Sequence, residues 1–150
     1  MIKTLLFLLL VVTCQGMTEK QILYYTLMGE ARGEGKEGIL AVSNVIVNRY
    51  NNNLKYKSIS EVCLEDKQFS FWNDRALIEK QINVINSDNN KEITQFTANL
   101  VNKILNKEKI PNVLGKNVLN YCRFDCFPKW RNDNKIVAKI KNHVFFACIK

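Results

Sequence analysis

Gly29-Glu30-Ala31-Arg32-Gly33-Glu34-Gly35 is the stretch on which the reading of this chain turns. Upstream, Thr18-Glu19-Lys20-Gln21 has capping-box form and Ile22, Leu23 and Tyr25 follow at helical spacing, so the pattern predicts a helix that runs to Gly29. A carboxyl group at a helix C-terminus meets the negative end of the macrodipole, which disfavours its ionised form, and burial against Tyr24, Tyr25 or Met28 would act in the same direction. A carboxyl in such a place can hold its proton and serve as a general acid. Glu30 reads either as such an acid or as the solvated surface residue that a helical glutamate ordinarily is, and the glycines around it may merely end the helix. Glu34, about one turn on, reads either as a second carboxylate or as a solvated charge beside Arg32.

Outward from this stretch the chain reads as helices first and strands last. Lys36 to Arg49 carries Ile39, Val42, Val45 and Ile46; its β-branched content would suit a strand, and its length decides for a helix. Asn51-Asn52-Asn53 is a loop, and Ser58-Ile59-Ser60-Glu61 opens a short helix with a second capping box. Asp74 to Ile85 reads as helical, and Ile93, Phe96, Thr97, Leu100, Val101, Ile104 and Leu105 keep a three-and-four spacing that marks a core stripe. After Pro111 and Gly115 the runs at 118–121 and 135–148 are rich in strand formers, with alternation at Ile136, Ala138 and Ile140 and a turn at Lys141-Asn142. The fold class is α+β, mainly helical with a small antiparallel β-lobe.

The 150 residues, 47% hydrophobic and 24% charged with Gly 6 and Pro 2, suit one globular domain and exclude collagen-like or linker-dominated chains. Met1-Ile2-Lys3, the apolar run from Thr4 to Thr13 and the small-residue site at Cys14-Gln15-Gly16 read as a signal peptide over 1–16, leaving a domain over 17–150. An uncleaved tether and a lipoprotein site at Cys14 are the alternatives. The run is too short for a spanning helix, which needs about 20 apolar residues. The expected location is secreted, periplasmic or cell-wall.

Without Lys3 the mature chain carries a net charge of +7, and residues 103–150 supply 11 basic groups against 3 acidic ones. A basic face on an exported protein points to anionic polymers of the cell wall, lipid headgroups or extracellular nucleic acid. Four cysteines remain after cleavage, Cys63, Cys122, Cys126 and Cys148, and an even count outside the cytoplasm predicts at least one disulfide. A zinc site from Cys122, Cys126, His143 and Cys148 is the rival reading, disfavoured because the spacing is not a CxxC pair.

Gly29 to Gly35, then Gly38, Ala41-Val42, Asn48-Arg49 and Lys67-Gln68-Phe69-Ser70-Phe71-Trp72-Asn73, resemble the cell wall hydrolase family typified by spore-cortex-lytic enzymes and related phage endolysins. Asn120-Tyr121, Pro128-Lys129-Trp130 and the closing run from Val137 to Phe146 look like that family's tyrosine strand, Pro-x-Trp loop and final strand. The resemblance spans about residues 21–147. It implies a lysozyme-like fold with a cleft between its lobes and cleavage of peptidoglycan glycan strands by one glutamate, here Glu30. Lys141 stands where the closing motif has glycine, which alters a turn; Cys122 and Cys126 interrupt a segment that is polar in the family.

Breaking the bond between N-acetylmuramic acid and N-acetylglucosamine requires a proton on the leaving oxygen, and Glu30 would supply it. In a lytic transglycosylase the C6 hydroxyl of muramic acid then attacks C1, and neither a second carboxylate nor a metal or other cofactor is needed. A hydrolase needs another carboxylate, for which Glu34, Asp66 and Asp74 are available; the transglycosylase is the favoured reading. Gln68, Phe69, Ser70 and Trp72 form a polar and aromatic patch suited to sugars, although at least one of Phe69 and Phe71 should be core. Tyr121 reads either as a hydrogen-bonding partner near Glu30 or the anomeric centre or as a core tyrosine, and His143, the only histidine, reads as a structural hydrogen-bonding residue with a general base as the alternative. The expected partner is peptidoglycan, met by a monomer, with no specific nucleic acid. A wall-binding module without catalysis and a basic nucleic-acid binder are the other classes; the second leaves both central motifs unexplained.

Overall fold

The computed structural model describes residues 16–148, so the segment read as an export signal lies outside the described residues apart from Gly16. Helix α1 spans Glu19–Ala31, and its capping box is complete. Thr18 Oγ1 accepts from the Gln21 N–H at 3.2 Å while Gln21 Oε1 accepts from the Thr18 N–H at 2.9 Å. The helix does not stop at Gly29. It continues to Ala31 because Gly29 lies under the ring of Phe71, where a Cβ would come within 2.2 Å of Phe71 Cδ2. The glycine is there for that close approach, and Glu30 therefore belongs to the final helical turn.

A 3-10 turn, Arg32–Glu34, leads through Gly35 at φ +74° into α2, Gly35–Asn52, which buries Ile39, Val42, Val45 and Ile46. Short helix α3, Ile59–Leu64, is capped by Ser58, whose Oγ accepts from the Glu61 N–H; the return half of the expected box is absent, since Glu61 Oε2 accepts from Lys57 instead. Asp74 caps α4, Arg75–Asn86, through a 3.1 Å bond from the Ala76 N–H. The core stripe is α5, Lys91–Leu105, with Ile93, Thr97, Leu100, Val101 and Ile104 buried and Phe96 half-buried. Helix α1 packs on all four other helices, so its last turn is a fixed platform.

The β-lobe is one antiparallel sheet in the order β1-β3-β2, made of Val118–Arg123, His143–Cys148 and Asn134–Ile140. Lys141-Asn142 turns the β2–β3 hairpin as expected, with Lys141 at φ +46°, the left-handed conformation that glycine adopts most readily. The alternation expected along β2 is broken. A register shift between Ile136 and Ala138 turns Ile136 and Val137 outward together, so of the three alternating positions only Ile140 is buried.

Asparagines four residues apart on α2 attach the β-lobe to the helices. Asn44 Nδ2 donates to the Pro111 carbonyl, Asn48 Nδ2 to the carbonyls of Gly115 and Val118, both at 2.9 Å, and Asn52 Nδ2 to that of Lys116. This ladder lays segment 111–118 along α2 and delivers β1 to the C-terminal end of α1.

Candidate active site

Glu30 projects from the last turn of α1 and is half-buried. Its partners are not Tyr24, Tyr25 or Met28: Tyr25 bonds Asn86 of α4, and Met28 is wholly buried in the core. Three donors from two distant segments grip the carboxyl instead. Oε1 accepts from Ser70 Oγ at 3.0 Å and from the Phe71 N–H at 2.8 Å, and Oε2 accepts from the Tyr121 hydroxyl at 2.9 Å. Burial and the facing Glu30 carboxyl hold the Tyr121 phenol well above its ordinary range, so it stays a protonated donor.

The other residues read from the Gln68–Trp72 stretch divide. Gln68 and Ser70 are exposed, and Ser70 serves the carboxyl directly. Trp72 is not a sugar platform: it is 2% exposed, its Nε1 donates to Thr26 Oγ1 at 2.9 Å, and Phe71 packs edge-on against it. Phe69 is likewise core, at 1% exposure. The turn must bury these rings between helices to aim the Phe71 N–H at Glu30, which leaves no ring face for a ligand.

Among the proposed second carboxylates, Glu34 is neither solvated nor free. It is buried, Oε2 accepts from the Asn142 N–H at 2.9 Å and Oε1 from Asn142 Nδ2 at 3.3 Å, so it holds the β2–β3 turn against the helical lobe. Asp66 is exposed in the turn before Gln68, and Asp74 is occupied as a helix cap. His143 is buried beside Tyr121, with ring centroids 5.0 Å apart and Nδ1 lacking any hydrogen-bond partner. Burial holds its pKa below the ordinary value, with Arg123 adding to the effect and the Glu34 and Glu30 carboxylates opposing it.

Arg49 was visible in the sequence only as part of a motif, and its position gives it a task. Nε donates to the Leu119 carbonyl at 2.7 Å, two residues before Tyr121, and the guanidinium lies 5.2 Å from the ring centre of Phe69, next to Ser70. One half-buried cation thus braces both segments that supply donors to Glu30. The signal in the sequence was an arginine placed directly after Asn48, on the helix that carries Ile39, Val42, Val45 and Ile46.

The expected disulfide is not formed. All four cysteines are thiols: Cys63 is sealed in the helical core, whereas Cys122, Cys126 and Cys148 belong to the β-lobe. Cys122 Sγ donates to the Cys126 carbonyl, and Cys148 Sγ lies 3.9 Å from Asn120 Nδ2. Nor do these thiols gather with His143, since among the described residues no cluster of three or more His, Cys, Asp or Glu is arranged to hold a metal ion.

Small pockets flank the clamp. One of about 210 Å³ is lined by Gly29, Arg32, Ser70, Phe71, Gln81 and Ile85. Another, of about 230 Å³, includes Arg49, Tyr56, Gln68 and Asn120. A larger one, of about 600 Å³, surrounds Glu19, Tyr50 and Ile59 at the far end of α1, roughly 16 Å along the helix axis from Glu30, and is separate from the clamp.

The family model described as Cell Wall Hydrolase matches residues 33–146. The chain belongs to the cell wall hydrolase family. Glu34, the Gln68–Trp72 stretch, Tyr121 and His143 lie inside the matched range; Glu30 lies three residues before it and is singled out by its geometry. The catalytic domain of the germination-specific lytic transglycosylase SleB from Bacillus anthracis superposes with a TM-score of 0.60 at 24% identity, covering 87% of this cell wall hydrolase and 97% of that domain. At that identity the likeness establishes the fold, which is lysozyme-like. No curated protein matches the sequence. Family membership places the chain among enzymes that degrade the cell wall.

Proposed function

We propose that this cell wall hydrolase cleaves peptidoglycan glycan strands between N-acetylmuramic acid and N-acetylglucosamine as a lytic transglycosylase, with Glu30 as general acid and then general base. The observation that carries the reading is the unequal use of the two Glu30 oxygens. Two donors, one of them a backbone N–H that can only donate, fill the lone pairs of Oε1, whereas Oε2 has the Tyr121 hydroxyl alone. A proton on this carboxyl therefore sits on Oε2.

The steps follow from that placement. Oε2 delivers its proton to the glycosidic oxygen as the C1–O bond breaks, through an oxocarbenium-like transition state. The carboxylate left behind is stabilised by the same three donors, which do not have to move. It then takes the proton of the C6 hydroxyl as that oxygen bonds C1, and Glu30 ends protonated with no water consumed. A hydroxyl tethered to the reacting sugar has a high effective molarity, so no second base is required to position it. The engagement of Glu34 with Asn142 and of Asp74 with its helix supports this one-carboxylate route. Removal of residues 1–16 on export, with the basic C-terminal third facing anionic wall polymers, is the setting proposed for it.

Mass spectrometry of digested peptidoglycan tests the reading. The expected products are 1,6-anhydro-muropeptides, one water lighter than hydrolytic ones, and Glu30→Gln should fold yet lose about 10²–10⁴-fold in rate. Reducing-end muramic acid as the main product, with one of Glu34, Asp66 or Asp74 as essential as Glu30, would replace the transglycosylase by a hydrolase.

A further inference from the structure

The two faces of the sheet are put to different uses. Adjacent residues of a strand point to opposite faces, so Phe145 and Phe146 of β3 separate them. Phe145 stacks on Tyr121, whose hydroxyl reaches Glu30, and that face belongs to the clamp. Phe146 points the other way, with the Trp130 ring 5.4 Å and the Arg131 guanidinium 5.6 Å from its ring centre. Ile136 pairs with Phe146 and Lys139 with Val144, so both share this outer face. The segment after β1 folds over it: Arg131 Nη1 donates to the Phe124 carbonyl at 3.1 Å, its guanidinium lies 4.4 Å from the ring centre of Phe127, and Lys139 Nζ lies 5.3 Å from that of Phe124. Of the eight large apolar side chains left exposed among the described residues, four fall here, Phe124, Phe127, Ile136 and Val137, with Phe127 at 77% exposure. Residues 123–139 also carry five cations against two acids, and one of those acids, Asp125, is taken up by Arg123 at 3.0 Å.

We infer that this outer face of the β-lobe docks on an anionic lipid surface, with Phe124, Phe127, Ile136 and Val137 entering the headgroup layer while Lys129, Arg131 and Lys139 meet the lipid phosphates. Exposed apolar side chains gathered on one face mark a contact surface, and interfacial binding to lipid needs apolar area and positive charge side by side. The cations over Phe124 and Phe127 meet that need, because each stands beside a ring that can enter the layer while its own charge stays at the phosphates. The wall polymers proposed above as neighbours of the basic third ask for charge alone and leave the exposed rings without a task. A second copy of this chain would set like charges against one another. Tyr121 and Glu30 lie behind the sheet, so a docked enzyme keeps its clamp clear of the lipid and open to glycan strands. The docking does not depend on which bond the enzyme breaks.

Trp130 is a reporter already in place, half-buried on this face, whereas Trp72 is sealed in the helical core. Residues 17–150, used so that the apolar run of Thr4 to Thr13 takes no part, are mixed with vesicles of phosphatidylglycerol and phosphatidylcholine whose acyl chains carry bromine, which quenches indole on contact. The protein should sediment with these vesicles and lose Trp130 emission, and should ignore vesicles of phosphatidylcholine alone. Phe124→Ser combined with Phe127→Ser should weaken the partition by at least about tenfold, and Lys129→Gln by about fivefold, with thermal melts unchanged because all three side chains are exposed. Ile136→Ser, at an exposed position, repeats the apolar test should the double variant fail to fold. These variants should act on solubilised peptidoglycan at the wild-type rate. Absence of vesicle binding, binding without quenching, or equal binding by the folded phenylalanine variants overturns the inference, the last two leaving charge alone. Binding of soluble poly(glycerol phosphate) or single-stranded DNA that depends on Phe124 and Phe127, with no binding to the vesicles, overturns it in favour of that polyanion. A wild-type protein that docks on the vesicles but leaves peptidoglycan intact overturns the proposed reaction and supports the docking face.

Discussion

Glu30 and His143 lie on either side of Tyr121 and illustrate how one small region treats two ionisable groups differently. The carboxyl is given three donors, whereas the imidazole is buried with Nδ1 unpaired. Protonating His143 in the fold places an unpartnered cation in the sheet lobe, so its pKa is lowered relative to the unfolded chain, where it is about 6.5. As pH falls through about 6.5 the unfolded chain takes up the proton first, and stability declines until the pH passes the lowered folded value. His143 is the only histidine, so His143→Gln should flatten this part of the stability curve. Urea denaturation in steps from pH 7.5 to pH 5 checks it; parallel curves for the two proteins would contradict the burial argument. The imidazole was expected in a structural hydrogen-bonding role; it is buried, but its Nδ1 has no partner, which no local pattern could show.

At the scale of elements, the C-terminal turn of α1 works only because Gly29 lets the Phe71 ring lie on its backbone. Gly29→Ala should destabilise by about 1–3 kcal/mol through overpacking and lower activity as well, because displacing Phe71 moves a donor of Glu30. Gly33→Ala is the control, since nothing lies within 4 Å of the added methyl, and it should stay within about 0.5 kcal/mol of wild type. Thermal melts and lytic assays on both variants give the comparison. The asparagine ladder of α2 makes a separate claim. Asn48→Ala strips a donor from the Gly115 and Val118 carbonyls and should cost about 1–3 kcal/mol in urea denaturation. A neutral result would show that water replaces the amide and that the ladder does not hold β1.

Across the whole molecule, the lobes are joined by polar contacts between segments far apart in the chain, Glu34 to Asn142 and Arg49 to Leu119, and not by a sulfur bridge. The wholly buried thiol of Cys63 is pushed up to about 12, so it should resist alkylation in the native protein, whereas the exposed Cys126 and Cys148 should react. Intact-mass spectrometry of residues 17–150 before and after unfolding without reductant should count four modifiable thiols; a smaller count would restore the disulfide expected from cysteine number alone. The difference between that expectation and the structure marks the limit of reading a sequence. The capping box of α1, the stripe of α5 and the Lys141-Asn142 turn were legible because each depends on residues within a few positions of one another. Motif resemblance added Glu30 and the lysozyme-like fold. Only the tertiary structure decided what Glu30 touches, because its donors lie 40, 41 and 91 residues away. It also decided that Trp72 and Phe69 are core, that Ile136 faces solvent, and that Glu34 holds a turn 108 residues distant. Hydrogen bonds inside a helical turn are set by near neighbours, but which face of a turn is buried and which distant donor meets a carboxyl are set by the packing of α1, α2 and the sheet together.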